Sequence, residues 1–200
     1  MNDRERFIAI LSNIKREGID NVLTQLDNLG FFEAPASTVY HLNVTGGLVK
    51  HSLNVYDEAV LIAKAQDTLL QDTPRLFDEE SIAISALLHD VCKAEIYKKA
   101  TKSRKNSEGR WEYYQGYDVD YTYFPMGHGE KSVICLLRWG LKMTEDEMLA
   151  IRWHMGAFDL PFQSLEEKNN LNAAKNKCPL LALISAADSL ATSVLEVEHR

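Results

Sequence analysis

The 200-residue sequence has only three cysteines, which lie far apart at positions 92, 135 and 178. An odd number of isolated cysteines in apolar surroundings predicts neither a disulfide framework nor a CxxC metal site, and buried free thiols are the simpler interpretation. The first fifteen residues carry charges at positions 3 to 6 and lack the apolar run of a signal peptide or a membrane span. We therefore expect a cytoplasmic protein without a membrane partner.

Basic residues are also fewer than acidic ones. Lysine and arginine number 22 against 29 aspartates and glutamates, for a formal net charge of −7. This balance disfavours stable binding to duplex nucleic acid, so an anionic ligand requires a local basic patch. Hydrophobic residues make up 46% of the chain and charged residues 26%, which excludes a disordered chain and is typical of a globular protein. We expect a single domain over residues 1–200.

Apolar residues recur at helical spacing along most of the chain. The pattern predicts two short helices and a loop over residues 1–45. Further helices are predicted over residues 48–65, 81–92, 128–141, 145–155 and 179–196. The segment SIAISALLHDVC has almost no polar face, which is typical of a helix buried on all sides, and Thr144 with Glu147 forms a capping-box pattern. The N-terminal helices could cover the domain or form an oligomer, and the sequence leaves both open.

One region, residues 95–124, departs from the helical pattern. Alternating polar and larger residues flank the turn-like sequence NSEG, which predicts a small β-hairpin or flap in an otherwise all-α fold. Six basic residues and one acid between residues 98 and 110 give the flap a local charge of +5, and seven aromatics follow. If the flap contacts substrate, Arg104 and Arg110 are candidate phosphate contacts and the aromatics stack on bases. The alternative is a solvated hairpin whose aromatics pack on the domain.

His89 and Asp90 stand together at the end of the most apolar segment. An imidazole and a carboxylate buried there need strong compensating partners, and a metal ion is one such partner. Asp188 lies within the equally apolar sequence LLALISAADSLA. Three further histidines stand near predicted helix ends: His51, His128 and His154. Imidazole and carboxylate ligands suit Zn, Mn, Fe, Co or Ni, although each residue could instead be a satisfied polar group of the core.

Five short motifs carry a resemblance to a known family: GGLVKHSLNV, ALLHDVCK, GHGEKS, IRWHMG and AADSLA. In this order and spacing, over residues 46–192, they resemble the HD superfamily of metal-dependent phosphohydrolases, named for its His-Asp doublet. The resemblance implies an all-helical HD core and a first metal ion held by His51, His89, Asp90 and Asp188. It also implies a second ion held by His128 and His154, with Asp90 bridging the two ions.

Two lysines extend this set. HDVCK matches the family's HDxxK pattern, which implies that Lys93 acts beside Asp90 in catalysis by neutralising a phosphoryl oxygen, and a continuing helix would place both with His89 on one face. GHGEKS fails as a phosphate-binding loop because Glu130 stands where glycine is needed. Lys131 is therefore either a phosphate contact or a solvated helix lysine. Two histidines are interpreted as bystanders: His41 and His199.

The resemblance is closest to a binuclear branch that includes some bacterial exoribonucleases and cyclic-dinucleotide phosphodiesterases. The chain departs from the phosphodiesterases, because WHMG has one histidine where they carry a pair, and no GYP motif is present. The leading hypothesis is a phosphohydrolase that uses one or two divalent ions (Mn, Fe, Co, Ni, Zn or Mg) to activate water against a nucleotide or related phosphate ester. Two alternatives stay open: a regulatory module that binds a nucleotide without cleaving it, and a polar cluster that only holds the helices together.

Overall fold

The computed structural model describes residues 1–70, 74–161 and 164–197. Its helices, in chain order, are α1 Asp3–Ser12, α2 Ile19–Asn28, α3 Gly47–Leu69, α4 Glu79–Leu88, α5 Lys93–Ile96, α6 His128–Arg138, α7 Glu145–Trp153, α8 Leu165–Lys177 and α9 Pro179–Leu190. Strands β1 Tyr97–Lys105 and β2 Trp111–Val119 form one antiparallel sheet. A 3₁₀ turn, Gly156–Asp159, follows α7, and a π-helical turn, Ala191–Leu195, follows α9. The fold is mainly helical with one small hairpin, which confirms the predicted fold class.

Side-chain caps show why several helices begin where they do. Asn2 caps α1, Asp78 accepts a hydrogen bond from the Ser81 backbone at the start of α4, and Ser164 caps α8. The predicted capping box at α7 is present, with the Thr144 and Glu147 side chains each bonded to the other residue's backbone. These bonds satisfy backbone N–H groups that have no partner within the helix.

The core consists of two apolar clusters that share helix α4. Ile84, Leu87 and Leu88 of α4 pack with α1, α2 and the first half of α3, whereas Ile82 and Ala86 pack with α7, α8 and α9. Residues 82–88 are all buried, so the prediction of a helix without a polar face is confirmed. The three cysteines are free and buried, as the sequence predicts.

The helix predicted over residues 81–92 is wrong at its C-terminal end, because α4 stops at Leu88. The His89 ring donates from Nδ1 to the Ala86 carbonyl at 2.8 Å, and the following turn continues through short-range bonds such as Lys93 N to Asp90 O. Such bonds satisfy the carbonyls left free at a helix end. The helices predicted to reach residues 141 and 155 also end earlier, at positions 138 and 153. The helix predicted to reach about residue 196 continues from α9 through the π-helical turn to residue 195, which confirms its extent.

The predicted hairpin is confirmed, with Lys105 opposite Trp111 and Tyr97 opposite Val119. Asn106 shapes its turn by accepting hydrogen bonds from the backbone N–H groups of residues 108 and 110, both at 3.0 Å. Near the base of the hairpin Tyr117 is buried, whereas Trp111 at the tip is 65% exposed. Only the base of the hairpin therefore packs on the helices.

Helix α8 has no counterpart in the sequence predictions, and it buries only Leu171 and Ala174. Pro179 then occupies the first turn of α9, where its missing N–H costs nothing. Within the described ranges, no single helix is long and apolar enough to cross a membrane. Helix α8 and the segment Pro179–Leu195 have that length and composition only when taken together, across a bend of 102°.

A buried ion pair joins three parts of the chain around the first turn of α7. Glu147 is 0% exposed, and both of its carboxylate oxygens accept from Arg16 at 3.0 Å. Its Oε1 also accepts from the Ser81 hydroxyl at 2.8 Å, and its Oε2 from the Thr144 backbone N–H at 2.8 Å. The carboxylate thus ties the α1–α2 loop and the start of α4 to α7.

We predict that Glu147→Ala destabilises the protein by about 2–3 kcal/mol, because it removes the buried carboxylate that accepts hydrogen bonds from Arg16, the Ser81 hydroxyl and the Thr144 N–H. Urea unfolding followed by circular dichroism measures the change in the free energy of unfolding. Glu145→Ala in the same turn is the control, since its pair with Lys177 is exposed and contributes little. Equal unfolding midpoints for the two variants would contradict the prediction.

Candidate metal centre

The structure brings the six predicted metal ligands to one place at the ends of several helices. They are His51 in α3, His89 and Asp90 in the turn after α4, His128 at the start of α6, His154 after α7, and Asp188 in α9. His51, His89, Asp90 and His154 are each exposed by 3% or less. Five separate segments therefore converge on a buried polar cluster.

Four of these residues form a first group. His51 Nε2 lies 3.2 Å from His89 Nε2 and 3.3 Å from Asp188 Oδ1. Asp90 Oδ2 lies 3.2 Å from His89 Nε2 and 3.7 Å from His51 Nε2. The four residues that the family resemblance assigns to one ion are thus close together.

A second group, His128 and His154, faces the other carboxylate oxygen of Asp90, Oδ1. His128 Nε2 and His154 Nε2 are 3.2 Å apart, and each lies 3.7 Å from Asp90 Oδ1. One carboxylate oxygen therefore faces each pair of imidazoles. This is the arrangement expected of a carboxylate shared by two cation sites.

The hydrogen bonds on the far side of two rings fix their tautomers. His89 Nδ1 lies 2.8 Å from the Ala86 carbonyl, and His154 Nδ1 lies 2.7 Å from the Ile151 carbonyl. A carbonyl can only accept, so each Nδ1 carries a proton, and each Nε2, the atom through which an imidazole in this tautomer binds a metal ion, faces the cluster. Histidine ligands of metal ions are held in the same way.

One buried atom of the cluster is left without a partner. Asp90 Oδ1 accepts no hydrogen bond from any residue that the structure describes. A buried carboxylate oxygen in that state is costly, and a cation beside it removes the cost. The donor set, imidazole nitrogen and carboxylate oxygen without thiolate, fits a divalent ion such as Mn, Fe, Co, Ni or Zn.

The charges of the cluster keep its carboxylates ionised. Burial alone would raise the pKa of Asp90, but the Lys93 ammonium and the His89 ring hold it well below its ordinary value. Lys93 Nζ lies 2.6 Å from Asp90 Oδ2, although the helix that was expected to align them is broken. Burial likewise opposes ionisation of Asp188, and the hydrogen bond to His51 lowers its pKa. Both carboxylates are therefore ready to bind a cation.

Three residues near the ligands were not predicted from the sequence. Glu196 accepts from His51 Nδ1 at 3.0 Å and from the Asn54 amide at 2.9 Å. Asp159 Oδ1 lies 3.5 Å from His128 Nδ1. His41, which the sequence left as a bystander, lies 3.8 Å from Glu196 and has its ring centroid 5.1 Å from that of His51. The other histidine left out, at position 199, lies outside the described residues.

A sequence signal for one of these residues exists. Residue 196 follows Asp188 by eight positions, about two helical turns, so the predicted helix over residues 179–196 places it on the same face. No comparable signal points to Asp159 or His41, because loop residues reach the site only through the tertiary fold. Glu196 and Asp159 contact the Nδ1 atoms of two candidate ligand histidines, His51 and His128, and so orient their rings from the side away from the cluster.

The remaining predicted substrate contacts, Lys131, Arg104 and Arg110, have partners within the protein. Lys131 is buried rather than solvated, and its ammonium lies 2.9 Å from both Glu95 and the Tyr123 carbonyl. On the hairpin, Arg104 pairs with Glu112 at 2.5 Å. Arg110 pairs with the neighbouring residue 108 at 3.4 Å. The charge of each side chain is thus partly neutralised within the protein.

A cavity of about 370 Å³ opens beside the cluster. Its lining includes His51, Asp90, His154 and Asp188 together with Lys93. A larger surface depression of about 480 Å³, between residues 12 and 21, contains none of the candidate ligands. Of these two, the 370 Å³ cavity is therefore the one that gives a small molecule access to the cluster.

We predict that Gly129→Ala disrupts the His128–His154 pair, because a Cβ at position 129 would lie 2.4 Å from the Arg152 carbonyl and push α6 away from α7. Elemental analysis should show a lower metal-to-chain ratio than in the parent protein. Gly127→Ala is the matched control, since a Cβ there meets only Glu130 Oε2 at 3.9 Å. An unchanged ratio in a folded Gly129→Ala protein would exclude close α6–α7 packing as a condition for metal binding.

We predict that metal binding releases a proton at neutral pH. Burial lowers the pKa of His51, but hydrogen bonds to Asp188 and Glu196 outweigh it and raise the pKa to about 9. His51 is therefore protonated in the metal-free protein at pH 7 and must lose that proton to bind an ion. The apparent affinity should rise by up to about tenfold per pH unit and level off above pH 9.

Isothermal titration calorimetry in buffers of different ionisation enthalpy counts the released protons. The pKa of His154, lowered by burial to about 4, makes that ring neutral throughout this range. In Glu196→Gln the apparent metal affinity should stop rising at a lower pH, because the substitution removes one carboxylate that raises the pKa of His51. A count of zero protons between pH 6 and 8 would show that His51 is already neutral or is not a ligand.

Comparison with known proteins agrees with this geometry. No curated protein and no solved structure showed significant similarity to the chain. A family model described as the HD domain matches residues 48–193, which is well over half of the chain and nearly the region of the predicted motifs. The chain belongs to the HD domain family, whose members are in general metal-dependent phosphohydrolases.

Proposed function

We propose that the protein hydrolyses a nucleotide or a related phosphate ester with the help of one or two divalent ions. The observation that carries the proposal is the position of Asp90 between two pairs of imidazoles, with one oxygen facing each pair. Asp90 also lines an open cavity, so the centre is reachable by a ligand. A site that only held helices together would not need a cavity.

The residues that would hold a first ion are His51, His89, Asp90 and Asp188, and those that would hold a second are His128, His154 and Asp90. When bound, divalent ions supply a water of lowered pKa and neutralise charge on the phosphoryl oxygens. The protein's own contribution is orientation. Backbone carbonyls fix the rings of His89 and His154, and Glu196 fixes that of His51.

Lys93 is the residue best placed to bind the phosphate itself. Its ammonium lies 2.6 Å from Asp90 Oδ2 and lines the cavity. Burial opposes its charge, but Asp90 and other nearby acids raise its pKa, so Lys93 remains a cation at neutral pH. A fixed cation beside the reacting group stabilises the negative charge that develops on phosphoryl oxygens.

A hydrolase assay with Mn, Co, Ni or Mg tests the proposal on nucleotides, cyclic nucleotides and short RNA. We predict turnover that is lost together with bound metal in His89→Ala and Asp90→Ala. Lys93→Gln should keep its metal and lose activity by about 10²–10³-fold, the usual cost of removing one stabilising group. Lys177→Gln is the control, because that lysine pairs with Glu145 on the surface.

Two outcomes would contradict the proposed function, and a third would contradict the role given to Lys93. Nucleotide that binds and is recovered unchanged across the panel would show a regulatory module. Protein purified without chelator that holds no metal, and whose stability is unaffected by EDTA, would show a purely structural polar cluster. Full activity in Lys93→Gln would remove that residue from the catalytic machinery.

A further inference from the structure

The wall of the cavity contributed by α9 and the π-helical turn carries a stripe of hydroxyl groups. Ser185, Ser189 and Ser193 are spaced by four residues, and Thr192 lies beside them. All four line the cavity, and only Thr192 is bonded to the metal cluster, through Asp188 at 3.4 Å. Residues spaced by four lie on one face of a helix, so the stripe offers several hydroxyls in a row to a polar ligand.

Phe158 adds an apolar aromatic ring to the lining of the cavity, and this residue is 90% exposed. It lies in the 3₁₀ turn directly after His154. The next residue, Asp159, contacts His128 and Arg152, which holds the turn against the metal cluster. An aromatic ring presented to solvent from an anchored turn at a binding cavity is suited to stack on a flat ligand.

Two lysine side chains also contribute positive charge to the lining of the cavity. Lys93 lies beside the metal cluster, and Lys175 of α8 contributes a second ammonium to the lining. A volume of about 370 Å³ is near the lower end of the range of small-molecule sites, about 300–1,000 Å³. The cavity therefore suits one small anionic molecule rather than a long polymer.

The hairpin offers other exposed aromatics, and these are the competing candidates for stacking. Trp111 and Tyr113 are 65% and 78% exposed and lie next to each other on one face of β2. Neither ring lines the cavity, and Tyr117, on the same face, is buried at the base of the hairpin. Trp111 and Tyr113, near the tip of the hairpin, are thus not placed to contact a ligand held in the cavity.

We infer that Phe158 and the hydroxyl stripe select the organic part of the substrate, and that this part is a single nucleoside. The base stacks on Phe158, and the sugar hydroxyls bond to the serines at positions 185, 189 and 193. The inference rests on the proposed function for the position of the phosphate, at the metal cluster and Lys93. It assigns substrate selection to the α7–α8 connection and α9, and not to the basic hairpin.

The test compares two ligands of the manganese-loaded protein by isothermal titration calorimetry. One is inorganic phosphate, and the other is the analogue of adenosine 5′-monophosphate in which a methylene group replaces the ester oxygen, so that it is not hydrolysed. Phe158→Ala should weaken binding of the analogue by about 5- to 150-fold, the range for one base stacked on an aromatic ring. Phosphate affinity should be unchanged, and Phe158→Tyr should bind like the parent protein.

Tyr113→Ala is the matched control, because it removes a similarly exposed ring that does not line the cavity. The inference would be overturned in favour of the hairpin if Tyr113→Ala bound the analogue more weakly than the parent protein and Phe158→Ala bound it as tightly as the parent protein. If phosphate binds normally and Phe158→Ala leaves the ratio of the two affinities unchanged, the inference fails while the proposed function stands. If neither ligand binds the loaded parent protein, the proposed function fails and the inference fails with it. Thermal melting of each variant confirms folding, which loss of an exposed ring should leave intact.

Discussion

Asp90 carries an ionised carboxylate that is only 2% exposed, in the turn after α4, a helix whose residues 82–88 are all buried. An unpaired charge in such a place costs far more than a folded domain of this size can tolerate, since net stabilities are about 5–15 kcal/mol. The surrounding residues of the site compensate this buried charge. Lys93 supplies one opposite charge, four imidazoles surround the two oxygens, and the oxygen without a hydrogen bond is left to a cation.

The packing of the helices follows from the same constraint. Helix α4 is apolar on all sides because it lies between two clusters of the core, and it delivers His89 and Asp90 to their meeting point. The other ligands come from α3, α6, α9 and the turn after α7, so the site forms only when these segments pack together. Gly129 allows two of them to approach closely, since any side chain there would meet the backbone of α7.

Some of the candidate ligands could be singled out from sequence because they are polar residues in or beside an apolar helix, whereas the full set of six came from the resemblance of five motifs to the HD family. His89 and Asp188 stand out in this way without knowledge of the fold. The end of α4 at Leu88 could not be predicted, because it depends on a hydrogen bond from a side chain to a backbone carbonyl. The partners of Lys131 and Arg104 were equally hidden, since ion pairs depend on which residues the fold or the strand register places side by side. Helix α8 was missed because only two of its residues are buried.

The two groups of residues on either side of Asp90, one around His51 and one around His154, differ in charge. This difference affects how strongly each group would hold a metal ion. The half around His51 has Asp188 and Glu196 in addition to Asp90, and these carboxylates keep a proton on His51 to a pKa of about 9. The half around His154 has Asp90 and, behind His128, Asp159, whose own pKa burial raises. Positive charge is therefore favoured more strongly in the first half, whether it is a proton or a metal ion. An ion in the second half depends mainly on the oxygen of Asp90 that has no other partner, which makes this half the weaker of the two.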